Sequence, residues 1–167
     1  RNSRGTCLAQ ADGDARHALL PNSRSHLIQK RSSCMITGHC ECRRVSFEAD
    51  SEITEFSHCH CSQCRRLHGA AFATFAGVKK DKFRYLSGES DLSSYQSSDN
   101  HERIFCSVCG SNIMVALSDY PDELFLSMSA IEGDPKRPEG YHIFVGSKAP
   151  WHEIKDSLKQ YEEFETD

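Results

Sequence analysis

From Met35 onward, hydrophobic and polar positions alternate over short stretches that end at turn-forming residues. Arg44–Ala49 alternates in the manner of a half-buried strand, and Phe72–Val78 is apolar and aromatic, as expected for a central strand. The same criteria predict six more strands, at Phe83–Leu86, Leu92–Gln96, Glu102–Cys106, Ile113–Leu117, Glu123–Met128 and His142–Val145. Helices are predicted only just after Cys64 and near Glu153–Phe164. Eight or so strands with so little helix predict an all-β domain.

The first 34 residues differ from the rest. They carry six basic and two acidic side chains, few large apolar residues and no sustained period. An organelle transit peptide would be Arg-rich and Ser-rich in this way, but Asp12 and Asp14 count against one. We therefore interpret residues 1–34 as an extension before a natural start at Met35, outside the fold. Residues 35–167 are predicted to form one domain.

Composition narrows the classes of function. The net charge is −4, whereas nucleic-acid binding usually requires a strongly basic face. The longest near-apolar run, Gly69–Val78, is too short to cross a membrane. The sequence thus predicts neither a nucleic-acid partner nor a membrane partner. Without a recognisable secretory signal, we expect a reducing, cytoplasmic location.

Seven of the nine cysteines follow Met35, and an odd number cannot all pair as disulfides within one chain. They come in three closely spaced sets, and such sets in a reducing compartment are usually metal sites. Cys106 and Cys109 with Gly110 resemble a zinc knuckle, and Cys40 with Cys42 forms a second two-sulfur set. Combined, these four thiolates would complete a closed tetrahedral site, the arrangement of structural zinc.

The remaining Cys59, Cys61 and Cys64 would leave one position of a tetrahedron open, as in catalytic zinc sites. If Cys59 and Cys61 share one face of a strand, His58 and His60 point the other way and are not ligands.

His68 follows Cys64 by four residues, so a helix would place both on one face. His68 is therefore a candidate fourth ligand, a candidate proton-transfer group, or the cap of a turn before Gly69. Arg65 and Arg66 either attract an anionic thiol carrier or form a solvated helix face.

These residues resemble the glutathione-dependent formaldehyde-activating enzyme family, which also includes centromere protein V. The resemblance spans about 115 residues and rests on five segments in the same order: 38–42, 59–65, 68–72, 105–111 and 142–151. It implies a β-tent fold of short antiparallel strands with two zinc ions. Cys40, Cys42, Cys106 and Cys109 would hold the structural ion, and Cys59, Cys61 and Cys64 the catalytic one. Family members usually have glycine after the first two-sulfur set, where Arg43 stands here.

The activity that the resemblance implies is addition of glutathione to formaldehyde, which gives S-(hydroxymethyl)glutathione in a carbon–sulfur lyase reaction. The expected partners are therefore a small-molecule thiol such as glutathione and a small aldehyde. His68 would pass a proton to the new hydroxyl group. The sequence is also compatible with two alternatives. One is a zinc-thiolate enzyme acting on another small electrophile, and the other is a non-catalytic interaction module in which His68 closes the second zinc site.

Overall fold

A computed structural model describes residues 35–164, and the prediction for residues 1–34 lies outside this range. The all-β prediction is confirmed, because the described chain has eleven strands and one α-helix, α1 (Ser62–His68). The strands are β1 (Met35–His39), β2 (Ser46–Asp50), β3 (Glu55–Cys59), β4 (Ala73–Lys79), β5 (Phe83–Ser87), β6 (Leu92–Ser98), β7 (His101–Cys106), β8 (Asn112–Leu117), β9 (Glu123–Ser127), β10 (Tyr141–Ile143) and β11 (Lys159–Gln160). No helix within residues 35–164 is long and apolar enough to cross a membrane.

The strands form two sheets. A three-stranded sheet has the order β1-β2-β5, and an eight-stranded sheet has the order β11-β10-β3-β4-β9-β8-β7-β6. Most neighbours are antiparallel, as predicted, but β10 runs parallel to both β3 and β11. Between the sheets lies a core whose fully buried members include Val45, Phe47, Ile113 and Leu126. Burying large apolar side chains of this kind contributes about 1.5–3 kcal/mol each.

The predicted C-terminal helix at Glu153–Phe164 is wrong. This segment contains β11 and otherwise irregular backbone. Its amides and carbonyls bond to the chain around β10: Tyr161 N donates to His142 O at 2.9 Å, and Phe144 N donates to Glu163 O, also at 2.9 Å. Leu158, Tyr161 and Phe164 are spaced like one face of a helix, but pairing with β10 satisfies the backbone and overrides that local preference. Three of the eleven strands, β1, β3 and β11, are absent from the eight that the sequence pattern predicts.

Arg43 occupies the turn after the first two-sulfur set in a left-handed conformation, with φ of 62°. Its amide donates to Cys40 O at 2.9 Å, and its side chain is exposed. The departure from the family's glycine therefore leaves the turn formed, but an arginine pays a steric cost there of about 1–2 kcal/mol.

We expect Arg43→Gly to stabilise the protein by roughly 0.5–1 kcal/mol, because relief of the steric cost exceeds the added freedom of the unfolded chain. Denaturant unfolding would measure the change. Arg44→Gly is the matched control, since Arg44 is also exposed but has no positive φ, and that variant should lose stability. A loss of stability in both variants would contradict the strain at Arg43.

Candidate metal centres and active site

Four cysteines from the two sheets meet in one group. Cys40 follows β1 in the smaller sheet, whereas Cys106 ends β7 in the larger one. Cys42 and Cys109 complete the group, and all four sulfurs lie within 4.8 Å of one another. Glu41 N donates to Ser111 Oγ at 3.0 Å, which joins the two turns. The group therefore brings together cysteine side chains from the ends of β1 and β7, one strand from each sheet.

The four-cysteine group fits tetrahedral zinc. With zinc–sulfur bonds of about 2.3 Å, sulfurs at the corners of a tetrahedron lie about 3.8 Å apart. Cys42 Sγ lies 3.5 Å from Cys40 Sγ and 3.8 Å from Cys106 Sγ. Hydrogen bonding from Ser111 lowers the pKa of Cys109 to about 5, which favours the thiolate that zinc requires. The turn geometry is also that of a knuckle, since Gly110 has a φ of 76° and donates to Cys106 O.

The other three cysteines converge where β3 gives way to α1. β3 ends at Cys59, Cys61 is the N-cap of α1, and Cys64 lies in its first turn. Cys61 Sγ accepts a hydrogen bond from Cys64 N at 3.3 Å, so the cap itself directs that sulfur toward the group. All three sulfurs lie within 4.8 Å of one another. Cys61 therefore does not lie on the strand, so the assumption that Cys59 and Cys61 share one face of a strand is wrong.

The three thiols of this group do not ionise equally, because the pKa values of Cys59 and Cys64 are raised and that of Cys61 is lowered. Hydrogen bonds from Cys59 and Cys64, and from backbone amides at the start of α1, lower the pKa of Cys61 to about 2. Cys59 and Cys64 are buried, and Cys61 is partly exposed. Among residues 35–164 no histidine or carboxylate oxygen joins these three sulfurs as a fourth ligand. This donor set fits a zinc ion that keeps one position for an exogenous molecule.

A cavity of about 640 Å³ lies against these three sulfurs. Its floor is one face of the eight-stranded sheet, because paired strand residues point to the same side. One row across the sheet is Tyr141, Ser57 and Phe75; a second is Phe125, Val115 and Arg103. The full lining comprises Glu55, Ser57, Cys59, Cys61, Ser62, Gln63, Cys64, Phe75, Ser98, His101, Arg103, Val115, Leu117, Tyr120, Phe125, Tyr141, Ile143, Phe144, Ser147 and Phe164.

Two cavity residues were not identified from the sequence as site residues. Arg103 is buried, and its Nη2 lies 3.6 Å from Cys64 Sγ. His101 donates from Nδ1 to Asn100 Oδ1 at 2.6 Å, because the Asn100 amide nitrogen donates in turn to Asp119. Burial, with a smaller contribution from Arg103, lowers the pKa of His101. The neutral imidazole therefore presents Nε2 as an acceptor.

The histidines beside the cysteines lie outside the ligand group. His58 Nδ1 is 2.9 Å from Thr74 Oγ1, and His60 Nε2 is 2.8 Å from His142 Nδ1. His142 Nε2 is in turn 3.1 Å from an oxygen of Asp156. This arrangement agrees with the interpretation that His58 and His60 are not ligands.

His68 is not part of the three-sulfur group either. Its ring packs edge-on against Phe75, with centroids 5.5 Å apart, and it does not line the cavity. Burial is the main cause that lowers the pKa of His68 to about 4. Arg65 donates to the carbonyls of His60 and Ser147, which ties α1 to the loop after β10, and Arg66 is exposed. Neither arginine lines the cavity.

Comparisons with known proteins agree with this site. Residues 35–147 match the family model described as glutathione-dependent formaldehyde-activating enzyme. A Halomonas elongata protein provisionally named as such an enzyme is 31% identical over 129 residues, which cover 72% of this chain and 82% of the relative. An uncharacterized lyase of Schizosaccharomyces pombe is 29% identical over 96 residues, which cover 58% of this chain and 68% of the relative.

A solved structure is also similar. The crystal structure of a Rhodobacter sphaeroides protein aligns with a TM-score of 0.51 at 26% identity, over 59% of this chain and 89% of that one. The β-tent architecture that the family implies stays a prediction. The matched range contains all seven described cysteines and both of their groups. The chain belongs to the glutathione-dependent formaldehyde-activating enzyme family.

Proposed function

We propose that this protein is a zinc-dependent enzyme of the carbon–sulfur lyase type, which adds the thiol of glutathione to formaldehyde or a related small electrophile. The observation that carries the proposal is the three-cysteine group, which borders a cavity of about 640 Å³. Three protein ligands beside an accessible cavity are the arrangement of a catalytic zinc site, whereas four sulfurs form a closed structural one. The proposed cofactors are accordingly two zinc ions, one in each group.

Cys59, Cys61 and Cys64 would hold the catalytic ion. When bound there, zinc lowers the pKa of a thiol that occupies its remaining position, so the thiol reacts as a thiolate near neutral pH. The chain fixes the three sulfurs through β3 and the capped start of α1, so the reacting thiol is oriented toward the cavity.

In the proposed reaction the sulfur–carbon bond forms as the carbonyl π bond breaks, and the thiol proton ends on the new hydroxyl oxygen. We assign the transfer of that proton to His101 rather than His68. His101 lines the cavity, and its Nε2 accepts a proton while Nδ1 donates to Asn100. Asn100 is itself held by Asp119, so the imidazole is kept in one tautomer.

The cavity admits more than formaldehyde. Its volume is in the range that holds a small organic ligand, so a thiol carrier and a one-carbon aldehyde fit together. The aromatic side chains of Phe75, Phe125 and Phe144 make part of the cavity surface apolar. Reduced cysteines and a thiol substrate both suit the cytoplasm, where we place the enzyme.

The interaction-module alternative requires a protein ligand to close the second site. His68 was the candidate for that role, and its ring instead packs against Phe75 outside the cavity. We therefore favour the enzyme.

The test is exchange of ¹³C-formaldehyde with glutathione, followed by NMR exchange spectroscopy. Wild-type protein should raise the exchange rate above the uncatalysed background, and Cys61→Ser should abolish that increase because it removes a ligand. Zinc content should fall from two ions per chain to about one. Tyr95→Ala, which alters an exposed ring on β6, is the control for contaminating activity and should behave like wild type. Equal exchange by wild type and Cys61→Ser would exclude the formaldehyde reaction.

A further inference from the structure

Arg103 is a buried cation beside the three-cysteine group. Its side chain is 5% exposed, and no ion pair joins it to a carboxylate within residues 35–164. Its Nε donates to Ser97 Oγ and its Nη2 to Gln63 Oε1, both at 3.2 Å, whereas its buried Nη1 has no hydrogen-bond partner. Burying a charge among neutral partners alone is costly. The guanidinium is therefore expected to face a negative charge at this place.

The three-cysteine group supplies that charge. Three thiolates around one zinc dication carry a net charge of −1, and an added thiolate brings it to −2. Arg103 Nη2 lies 3.6 Å from Cys64 Sγ, so its positive charge lies beside the centre. Glu55 also lines the cavity, but it forms no ion pair with Arg103.

We propose that Arg103 is the counter-charge of the three-cysteine centre and makes its open position selective for an anionic thiolate over a neutral ligand. This inference rests on the proposed function, because it requires a metal ion bound to these three cysteines. Arg103 contacts a sulfur ligand and not the bound thiol, so it is a positioning residue that acts on the thiol through the charge of the centre. Without it, a fourth anionic ligand would join a centre that is already negative.

The surroundings hold the guanidinium in place. Gln63 Nε2 donates to Ser97 O at 2.7 Å, which leaves Gln63 Oε1 to accept from Arg103. The ring of Phe75 lies 5.8 Å from the guanidinium carbon and covers it from water. In such a poorly hydrated place, a charge acts on a neighbouring ion more strongly than it would in solvent.

Cobalt(II) in place of zinc provides a test without turnover. Binding of 2-mercaptoethanol or imidazole at an open position changes the visible spectrum of cobalt, and the closed four-cysteine site does not respond. For Arg103→Met we expect the affinity for 2-mercaptoethanol, which binds as a thiolate, to fall roughly ten- to hundredfold. The affinity for neutral imidazole should change less than about threefold, and Arg103→Lys should restore most of the thiolate affinity.

The outcomes separate this inference from the proposed function. Arg84→Met, which removes an arginine paired with Glu48 on the other sheet, should leave both affinities unchanged. Equal weakening of both ligands by Arg103→Met, or no weakening of either, would overturn the inference. If the methionine variant does not fold, Arg103→Gln repeats the comparison with a polar, uncharged side chain. Failure of wild type to show any thiol-dependent cobalt spectrum would instead contradict the proposed function.

Discussion

Cys106→Ser is expected to lower the melting temperature by about 10 °C or more and to remove one of two zinc ions per chain. Cys106 is fully buried at the end of β7, and its sulfur lies 3.8 Å from that of Cys42, which lies in the turn between β1 and β2 of the smaller sheet. A structural zinc bound here would join the two sheets directly, so its binding free energy contributes to folding. Serine is a poor zinc ligand, and its hydroxyl would be buried among the remaining sulfurs.

Ser107→Ala is the matched control for this prediction. Ser107 is the next residue in the same turn, is exposed, and donates to Asp91 O at 2.8 Å without being part of the sulfur group. Losing that hydrogen bond should cost only about 0.5–1.5 kcal/mol and leave zinc content at two ions. Thermal unfolding and metal analysis of both variants would decide the matter. An unchanged melting temperature in Cys106→Ser would exclude a structural role for the four-cysteine group.

The division of cysteines into four and three could be read from the sequence because each set is local. Cys106 and Cys109 are held by one turn, and Cys59 to Cys64 span the end of a strand and the start of a helix. Spacing of this kind constrains sulfur positions whatever the rest of the fold does. The two pairs that form the four-cysteine group, Cys40 with Cys42 and Cys106 with Cys109, lie about 64 residues apart in sequence. With only seven cysteines in three sets, few other combinations would give a complete four-sulfur site.

The cavity could not be read in the same way, because its walls come from strands far apart in sequence. Arg103 alternates on β7 with Ile104, an apolar residue that packs against the core, so the pattern alone assigns Arg103 to solvent. Arg103 lies opposite Val115, which in turn lies opposite Phe125, and this arrangement depends on the register of the antiparallel strands β7, β8 and β9. Register of that kind is set by tertiary packing rather than by local preference. The site residues that the sequence missed are therefore those that sheet pairing brings in.

The C-terminal segment also contributes to the cavity in a way that the sequence pattern does not predict. Residues 153–164 do not form the predicted helix, and Phe164 instead stacks edge-on with Phe144 at 4.6 Å between ring centroids. Both rings line the cavity. Residues after 147 lie beyond the family match, yet they contribute to the wall beside the proposed active site. A segment outside the family match thus helps to shape the cavity, whereas all seven sulfur ligands lie within the match.

Replacing His101 is expected to reduce the glutathione–formaldehyde exchange rate by about 10²-fold without loss of zinc, because proton transfer by a positioned side chain contributes about that much. His101→Gln keeps a side chain of similar length that can still bond Asn100 but cannot carry the proton. His101 begins β7 and is not one of the seven sulfur ligands, so both metal groups should remain intact. The measurement is the exchange rate together with zinc content and melting temperature.

His68→Gln is the informative partner of this variant, because His68 is the residue that sequence spacing assigns to the same role. The His68 ring packs against Phe75 and does not line the cavity, so its replacement should disturb packing and lower stability by about 1–2 kcal/mol. Its exchange rate, measured well below the melting temperature, should stay within about threefold of wild type. If His68→Gln lost the rate and His101→Gln kept it, the proton carrier would be His68. The lining of the cavity predicts the reverse, because it includes His101 and does not include His68.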